Sequence, residues 1–121
     1  NVMSMYALLG AYEPEGYEWA KELCQVITGN VDYACDYIAK HVEGVTVSRP
    51  QGTYMLFLDC REWLEAHDMT LDQLLKAGWD VGVAWQNGVH HGGTHHIRVN
   101  LALPFSRVKE AFDRLHKYVF V

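Results

Sequence analysis

The sequence lacks several features that would place it in common functional classes. It has no uninterrupted apolar run of the roughly 18 residues that a membrane-spanning helix needs, so no membrane partner is expected. It has no excess of positive charge either, since 10 Lys and Arg face 15 Asp and Glu. Phosphate binding needs clustered basic residues, and no nucleic-acid partner is therefore expected. The start of the chain does not resemble a signal peptide, which favours a cytoplasmic location.

Recognisable catalytic and redox motifs are also missing. The chain has no nucleophile elbow, P-loop, dinucleotide fingerprint or HExxH pair. Its three cysteines, Cys24, Cys35 and Cys60, are odd in number, far apart and without a CxxC pair. This pattern predicts reduced thiols that are buried or inert rather than a disulfide framework. The first residue is not Met, so the sequence is expected to be part of a longer chain.

The patterns that are present predict one α+β domain of 121 residues. They predict a two-layer domain in which a small, mostly antiparallel sheet of three or four strands packs against a long N-terminal helix and a C-terminal helix. Pro14 is expected to open the long helix and Gly44 to end it. The apolar stripe expected to bury this helix is Trp19, Leu23, Val26, Ile27, Val31, Ala34, Ile38 and Val42.

The remaining elements are predicted from the periodicity of the apolar residues and from turn-forming residues. Strands are predicted at 45–48, 53–59, 79–84 and 96–101, with a helical turn at 60–66, a turn at Gln86-Asn87-Gly88 and then a flexible loop up to Thr94. Thr70 begins a capping box for a helix that Gly78 is expected to close. A last helix after Pro104 would bury Val108, Ala111, Phe112, Leu115, Tyr118 and Val119. Residues 1–13 carry apolar side chains (Met3, Met5, Leu8, Leu9 and Tyr12) that would form an exposed strip if helical, and such a strip indicates a missing partner surface.

The strand at 96–101 contains the chemistry that is easiest to interpret. Alternation places Ile97, Val99 and Leu101 on one face and His96, Arg98 and Asn100 on the other. A guanidinium fixed in mid-strand behind a glycine-rich loop is suited to binding a carboxylate through two parallel hydrogen bonds. The alternative is an ion pair with one of the chain's own acids.

A histidine cluster offers a second interpretation, in which the chain is a metal-binding module. His90, His91, His95 and His96 lie within seven residues and could hold Zn or Ni. However, adjacent strand residues point to opposite faces, and no cysteine pair accompanies these imidazoles. A physiological metal site is therefore not the favoured interpretation.

Two other groups have both a structural and a functional interpretation. Four aromatic residues could stack on a ring but are more typical of a core: Tyr54, Trp63, Trp79 and Trp85. Three acids could form an acid/base pair but are typical of a solvated helix start: Asp59, Glu62 and Glu65.

Several short motifs occur in an order that one known family shares. In chain order they are Ala11-Tyr12, Gly16, Trp19, Asn30, Pro50-Gln51-Gly52-Thr53-Tyr54, Leu58-Asp59, Gly82-Val83, Gly88, and Ile97-Arg98-Val99-Asn100-Leu101-Ala102 with Pro104. Together they resemble the C-terminal small domain of class I/II aminotransferase-like enzymes, which use pyridoxal phosphate (PLP). Within that superfamily they look most like the branch of cystathionine β-lyases and related C–S lyases. The resemblance implies the same two-layer architecture, with a linking helical segment at 1–44 and a small domain at 45–121.

The resemblance also implies roles for individual residues. Arg98 matches the arginine that binds the α-carboxylate of the amino-acid substrate, and Asn100 is expected to support the scaffold. His90, His91 and Asn100 would lie at the active-site rim, although the family commonly has an aromatic-glycine pair in place of His90-His91. This departure leaves the substrate side chain open.

No catalytic residue is expected in this chain, because the lysine that forms the Schiff base and the rest of the PLP site belong to the family's large domain. All five lysines fall on predicted polar helix faces: Lys21, Lys40, Lys76, Lys109 and Lys117. The chain alone is therefore predicted neither to bind PLP nor to be active. The resemblance implies a homodimeric parent enzyme, either a β-lyase acting on a sulfur amino acid or a transaminase. The interpretations from other classes are the histidine-rich metal module and an interaction domain that uses the apolar strip.

Overall fold

The computed structural model describes the whole chain from Asn1 to Val121, and two of its helices begin where local signals favour it. Pro14 occupies the first turn of the long helix, where its missing N–H has no intrahelical acceptor to lose. Thr70 forms a complete capping box with Gln73. None of the helices is both long and apolar enough to cross a membrane. The five helices are α1 (Val2–Ala11), α2 (Pro14–His41), α3 (Arg61–Ala66), α4 (Leu71–Asp80) and α5 (Phe105–Tyr118).

Four strands form one antiparallel sheet in the order β1-β2-β4-β3. The strands are β1 (Thr46–Val47), β2 (Met55–Asp59), β3 (Gln86–Asn87) and β4 (His96–Asn100). Register places Arg98 opposite Phe57 of β2 on one side and opposite Gln86 of β3 on the other. The predicted α+β fold, with a small antiparallel sheet beside a long first helix and a last helix, is confirmed.

The core lies on the sheet face that carries alternate residues of β2 and β4. Leu56, Leu58 and Ile97 have no exposed surface, and Val99 is also buried. Buried side chains of all four helices from α2 to α5 join this cluster, and those of α2 come only from its second half. The helical members are Val31, Ala34, Cys35, Ile38, Trp63, Leu64, Leu74, Leu75, Val108, Phe112 and Leu115. The opposite sheet face is only partly covered, since Met55, Phe57 and Asp59 alternate with the buried leucines.

The predicted strand at 79–84 is wrong. Helix α4 continues through Trp79 to Asp80, and the third strand forms at Gln86–Asn87, where the sequence predicted a turn. The helix also continues past Gly78, which was expected to close it.

The indole of Trp85 explains both of these differences. A Cβ on Gly78 would lie 2.3 Å from Cε2 of Trp85, so the glycine is needed where the indole packs across α4. The Trp85 Nε1–H donates to the Leu75 carbonyl at 2.9 Å, and the Trp79 Nε1–H donates to the Trp85 carbonyl at 3.0 Å. This tertiary contact outweighs the local preference of glycine for helix ends.

The apolar stripe of α2 is buried only in its second half. Trp19 is 65% exposed, Val26 is 50% exposed and Leu23 is exposed as well, contrary to the predicted core stripe. No residue of α1 is buried, so the predicted exposed strip at the N-terminus is confirmed. Three further residues that were expected in the core are exposed: Tyr54, Trp79 and Tyr118.

The three thiols are free and differ in environment. Cys35 and Cys60 are buried as predicted, whereas Cys24 is exposed. Burial, assisted by the neighbouring charge of Asp59, raises the pKa of Cys60 to about 12. This thiol stays protonated at neutral pH and is therefore a poor nucleophile.

Candidate functional site

The candidate site lies on the open face of the sheet, around the middle of β4. Burial alternates along this strand as the sequence predicted, with Ile97 and Val99 buried and Arg98 half-buried on the other face. Because β2 and β3 flank β4, the Arg98 side chain lies between Phe57 and Gln86 in register. Three strands therefore fix the position of one guanidinium.

The Arg98 guanidinium has two polar partners and no acidic one. Its Nη1 donates to Gln86 Oε1 at 3.2 Å and to His91 Nε2 at 2.6 Å. No carboxylate lies within 4.0 Å of it, whereas Arg49, Arg107 and Arg114 all form ion pairs. The interpretation of Arg98 as half of an internal ion pair is wrong, and its charge is available to an external anion.

The loop that carries His91 is an ordered turn rather than the flexible segment predicted from its composition. Val89–His91 forms one turn of 3-10 helix, and Gly92 ends it at φ +85°. A Cβ on Gly88 would lie 2.5 Å from the His96 carbonyl oxygen, and one on Gly93 would lie 2.5 Å from Cζ of Phe57. These two glycines let the loop lie directly against the open face, which brings His91 to Arg98.

The other predicted rim residues do not contact the guanidinium. His90 is exposed and has no hydrogen bond to Arg98. Asn100 is exposed, and its Oδ1 accepts from the Ala102 backbone N–H at 2.8 Å, as a scaffold residue would. Its substrate role remains a prediction.

His96 forms the second feature of the open face. Its ring stacks on Phe57 with a centroid distance of 4.4 Å, and its Nε2 lies 3.9 Å from Asp59 Oδ2. Its Nδ1 is buried without a hydrogen-bond partner. No group of three or more His, Cys, Asp or Glu side chains is arranged to hold a metal ion.

Asn30 supports the site from the buried side, a role that its position in the sequence motifs did not indicate. It is 1% exposed, and its Nδ2 donates to the Leu101 carbonyl at 2.9 Å and to the Leu103 carbonyl at 2.8 Å. These bonds attach the chain just after β4 to helix α2. The sequence signal for this role was an asparagine among the apolar positions of a helix. A polar side chain that is buried there needs hydrogen-bond partners.

The lysines do not fit a covalent cofactor site. Lys76 and Lys109 form exposed ion pairs with Asp80 and Asp113, and the Lys21 side chain is 67% exposed. Lys40 and Lys117 are exposed too. All five lie on helices, whereas Arg98 lies on the sheet. The residues of this chain therefore do not supply a lysine that could bind the PLP aldehyde beside Arg98.

The site is also open to solvent. The cavity of about 480 Å³ between α5, β4 and the segment 82–85 includes Asn100 but not Arg98. The half-buried guanidinium of Arg98 thus lies outside this cavity, on the partly covered face of the sheet. This geometry suits a half-site that a second surface completes.

Comparison with known proteins identifies relatives over most of the chain. No family model matches it. A Mycobacterium leprae protein named "Putative cystathionine beta-lyase" is 33% identical, in a match that covers 83% of this chain and 28% of that protein. Among solved structures, cystalysin from Treponema denticola, which contains pyridoxal 5'-phosphate, matches with a TM-score of 0.77 and 23% identity over 90% of this chain and 27% of its own.

A third likeness is closer in sequence than cystalysin. A PLP-bound "putative aminotransferase" from Clostridium difficile 630 is 29% identical, with a TM-score of 0.73, over 84% of this chain and 26% of its own. The chain thus spans less than a third of the length of each of these proteins. The resemblance drawn from the sequence motifs is confirmed.

Proposed function

Since the chain matches the superfamily of PLP-dependent C–S lyases and aminotransferases along most of its length, we propose that it is the C-terminal small domain of such an enzyme. In this proposal Arg98 binds the α-carboxylate of an amino-acid substrate. One observation carries it: the guanidinium is fixed on an open sheet face, with polar partners on one nitrogen and no acid to neutralise it.

The role of Arg98 is orientation. A carboxylate held by two parallel hydrogen bonds cannot rotate freely, so the Cα–H bond of the substrate keeps one direction relative to the rest of the active site. PLP, held by a separate large domain, would withdraw electrons from the bonds at Cα. Asn30 and the β2–β4 register keep Arg98 in place while this occurs.

The proposed reaction of the whole enzyme is β-elimination from a sulfur amino acid such as cystathionine or cysteine, which releases a thiol, pyruvate and ammonia. The name of the Mycobacterium leprae relative and its 33% identity favour this branch. Transamination is the second candidate, favoured by the 29% identity to the Clostridium difficile protein. Arg98 has the same role in both reactions.

The proposal also assigns a role to the exposed apolar side chains of α1 and of the first half of α2. Residues 1–44 would link the large domain to a small domain at 45–121, and the apolar side chains of α1 would pack on the large domain or on the second subunit of a homodimer. The exposure of Val2, Met3 and Leu9 supports a missing surface. The proposed partners are thus the amino-acid substrate, the large PLP domain and a second copy of the enzyme.

Steady-state kinetics of the longer enzyme with Arg98→Gln tests the proposal. Loss of a bidentate, charge-assisted contact should lower kcat/KM for the amino acid about 30- to 1,000-fold. Arg98→Lys should restore only part of this, because an ammonium does not match a carboxylate fork. Arg61→Gln is the matched control, since Arg61 is exposed and has no ion pair. Unchanged kcat/KM in Arg98→Gln would refute the role of Arg98.

Product analysis separates the two reactions. Release of pyruvate and a thiol without an added keto acid indicates β-elimination, whereas a requirement for a keto acid indicates transamination. A companion experiment mixes the 121-residue chain with PLP and borohydride. Stoichiometric trapping on one lysine would contradict the assignment of the cofactor to another domain.

A further inference from the structure

We propose that His91 and Gln86 are positioning residues that hold one end of the Arg98 guanidinium, so that the carboxylate binds the edge formed by Nε and Nη2. This inference rests on the proposed function of Arg98. It adds two side chains to the site and states which edge of the guanidinium is available to the ligand.

The hydrogen count of the guanidinium supports the assignment. Arginine has five N–H groups, of which two are on Nη1. Both contacts in the structure are made by Nη1, to Gln86 Oε1 and His91 Nε2. The two hydrogens of Nη1 are therefore used, and three N–H groups remain on Nε and Nη2.

The remaining N–H groups have no acceptor in the protein. No hydrogen bond joins Nε or Nη2 of Arg98 to any residue. Neither nitrogen is buried, because His96 Nδ1 is the one side-chain atom that is buried without a hydrogen-bond partner. Both are thus reached by solvent. The Nε–H and the nearer Nη2–H are parallel and spaced to match the two oxygens of a carboxylate. This edge is the open bidentate site.

The contact also defines the hydrogen position on His91. A guanidinium has no acceptor, so Nε2 of His91 must present a lone pair and the proton must be on Nδ1. A doubly protonated ring would place two cations 2.6 Å apart at the contacting nitrogens. The neutral Nδ1–H tautomer is therefore the form that positions Arg98.

The local structure is arranged for these contacts. Gln86 is opposite Arg98 in the β3–β4 register, and the 3-10 turn carries His91 to the same face. Gly88 and Gly93 allow the close approach of that turn to β4. Both accepting side chains thus lie on segments whose backbone is held against β4, the strand that carries Arg98.

Nitrogen-15 NMR of the 121-residue chain tests the tautomer directly. We expect His91 in the Nδ1–H form at neutral pH, and loss of this preference in Arg98→Gln, which cannot donate in the same way. A purely structural role for His91 would leave its tautomer unchanged in that variant. An Nε2–H tautomer in the wild-type chain would overturn the proposal.

Kinetics of the longer enzyme test the function. His91→Leu removes the acceptor and should raise KM for the amino acid about 3- to 10-fold, with kcat within about twofold, because the contact orients a binding group. His91→Gln, which keeps an acceptor, should recover much of the loss. His95→Leu is the control, since this imidazole makes no hydrogen bond to Arg98.

A double variant distinguishes the role of Arg98 in binding from the role of His91 in positioning. If Arg98 is needed for binding, His91→Leu should cause no further loss in the Arg98→Gln background. Full activity of Arg98→Gln would refute the proposed function itself. A large loss in Arg98→Gln together with wild-type KM in His91→Leu would refute only the positioning role.

Discussion

The two halves of helix α2 have similar apolar patterns, but one half is buried and the other is exposed. In its second half, Val31, Ala34 and Ile38 are at most 5% exposed and pack into the core. In its first half, Trp19 is 65% exposed and Val26 is 50% exposed. The same three- and four-residue spacing runs through both halves. An apolar stripe therefore predicts that a helix face is covered but does not show that this chain covers it.

The first half of α2 together with α1, called the arm here (residues 2–26), has structure of its own but no core. The two helices meet at a sharp turn, where a Cβ on Gly16 would lie 2.1 Å from the Ala11 carbonyl oxygen. The rings of Tyr12 and Tyr17 pack edge to face across it at 5.9 Å. The body (residues 30–121) contains all the buried residues. The arm thus exposes its apolar side chains to solvent, whereas the body has the packing of a domain.

The largest expected effect is a core truncation in the body. Leu56→Ala should lower the free energy of unfolding by about 2–5 kcal/mol, since it removes a fully buried side chain and leaves a cavity. Leu8→Ala in the arm is the matched variant and should change it by less than about 0.5 kcal/mol. Urea titrations at low protein concentration measure both. Equal losses would contradict the division into arm and body.

The second effect depends on pH and also belongs to the body. The buried Cys60 thiol has its pKa raised to about 12 from an ordinary 9.0, so the folded state keeps a proton that the unfolded state releases. The contribution of this thiol to the free energy of unfolding should be fully present below pH 9. It should be lost as the pH rises toward 12, by at most about 1.4 kcal/mol per pH unit.

Comparison with Cys60→Ala isolates that contribution, because other groups also titrate in this range. Unfolding titrations at several pH values should show a flatter pH dependence in the variant. Cys24→Ala, at an exposed thiol of the arm, should leave the slope unchanged. Identical slopes in wild type and Cys60→Ala would show that burial of the thiol has no energetic consequence.

The sequence predicted those parts of the fold whose signals are local. The capping box at Thr70, the start of α2 at Pro14 and the alternation around Arg98 all depend on residues within a few positions of one another, and all three are confirmed. The segment from 79 to 87 was predicted wrongly, because the indole of Trp85 packs on Gly78 and extends α4. That contact is tertiary and leaves no periodic signal.

The same distinction applies to the candidate site. The sequence could single out Arg98 as a candidate carboxylate-binding residue, from its place in a strand and from the family resemblance. Its contact with Gln86 could not, because β3 was predicted as a turn and its pairing with β4 was therefore missed. The contact with His91 depends on Gly88 and Gly93, where a Cβ would collide with Phe57 and His96. The sequence alone does not show that these residues lie so close together.

The third effect is at the junction between the two halves of α2. Asn30→Leu should cost about 1–3 kcal/mol of unfolding free energy, because the Leu101 carbonyl loses its donor in a buried setting. Thr28→Val, two residues earlier on an exposed part of the helix, removes only a local bond to the Cys24 carbonyl and should cost less than about 0.5 kcal/mol. Chemical denaturation compares the two variants, and equal costs would argue against Asn30 as a tie between α2 and β4.

The smallest effect on stability is expected in the arm, where the change should appear in association. Leu9 and Trp19 are 63% and 65% exposed, so Leu9→Glu with Trp19→Glu should alter the unfolding free energy by less than about 0.5 kcal/mol. If the arm is an interface, the wild-type chain should self-associate through it, and the double variant should sediment as a monomer. Tyr118→Glu, at an exposed residue of α5, is the control and should not change association. A monodisperse wild-type monomer would contradict this expectation, since an apolar surface of this extent would then remain in water without a partner.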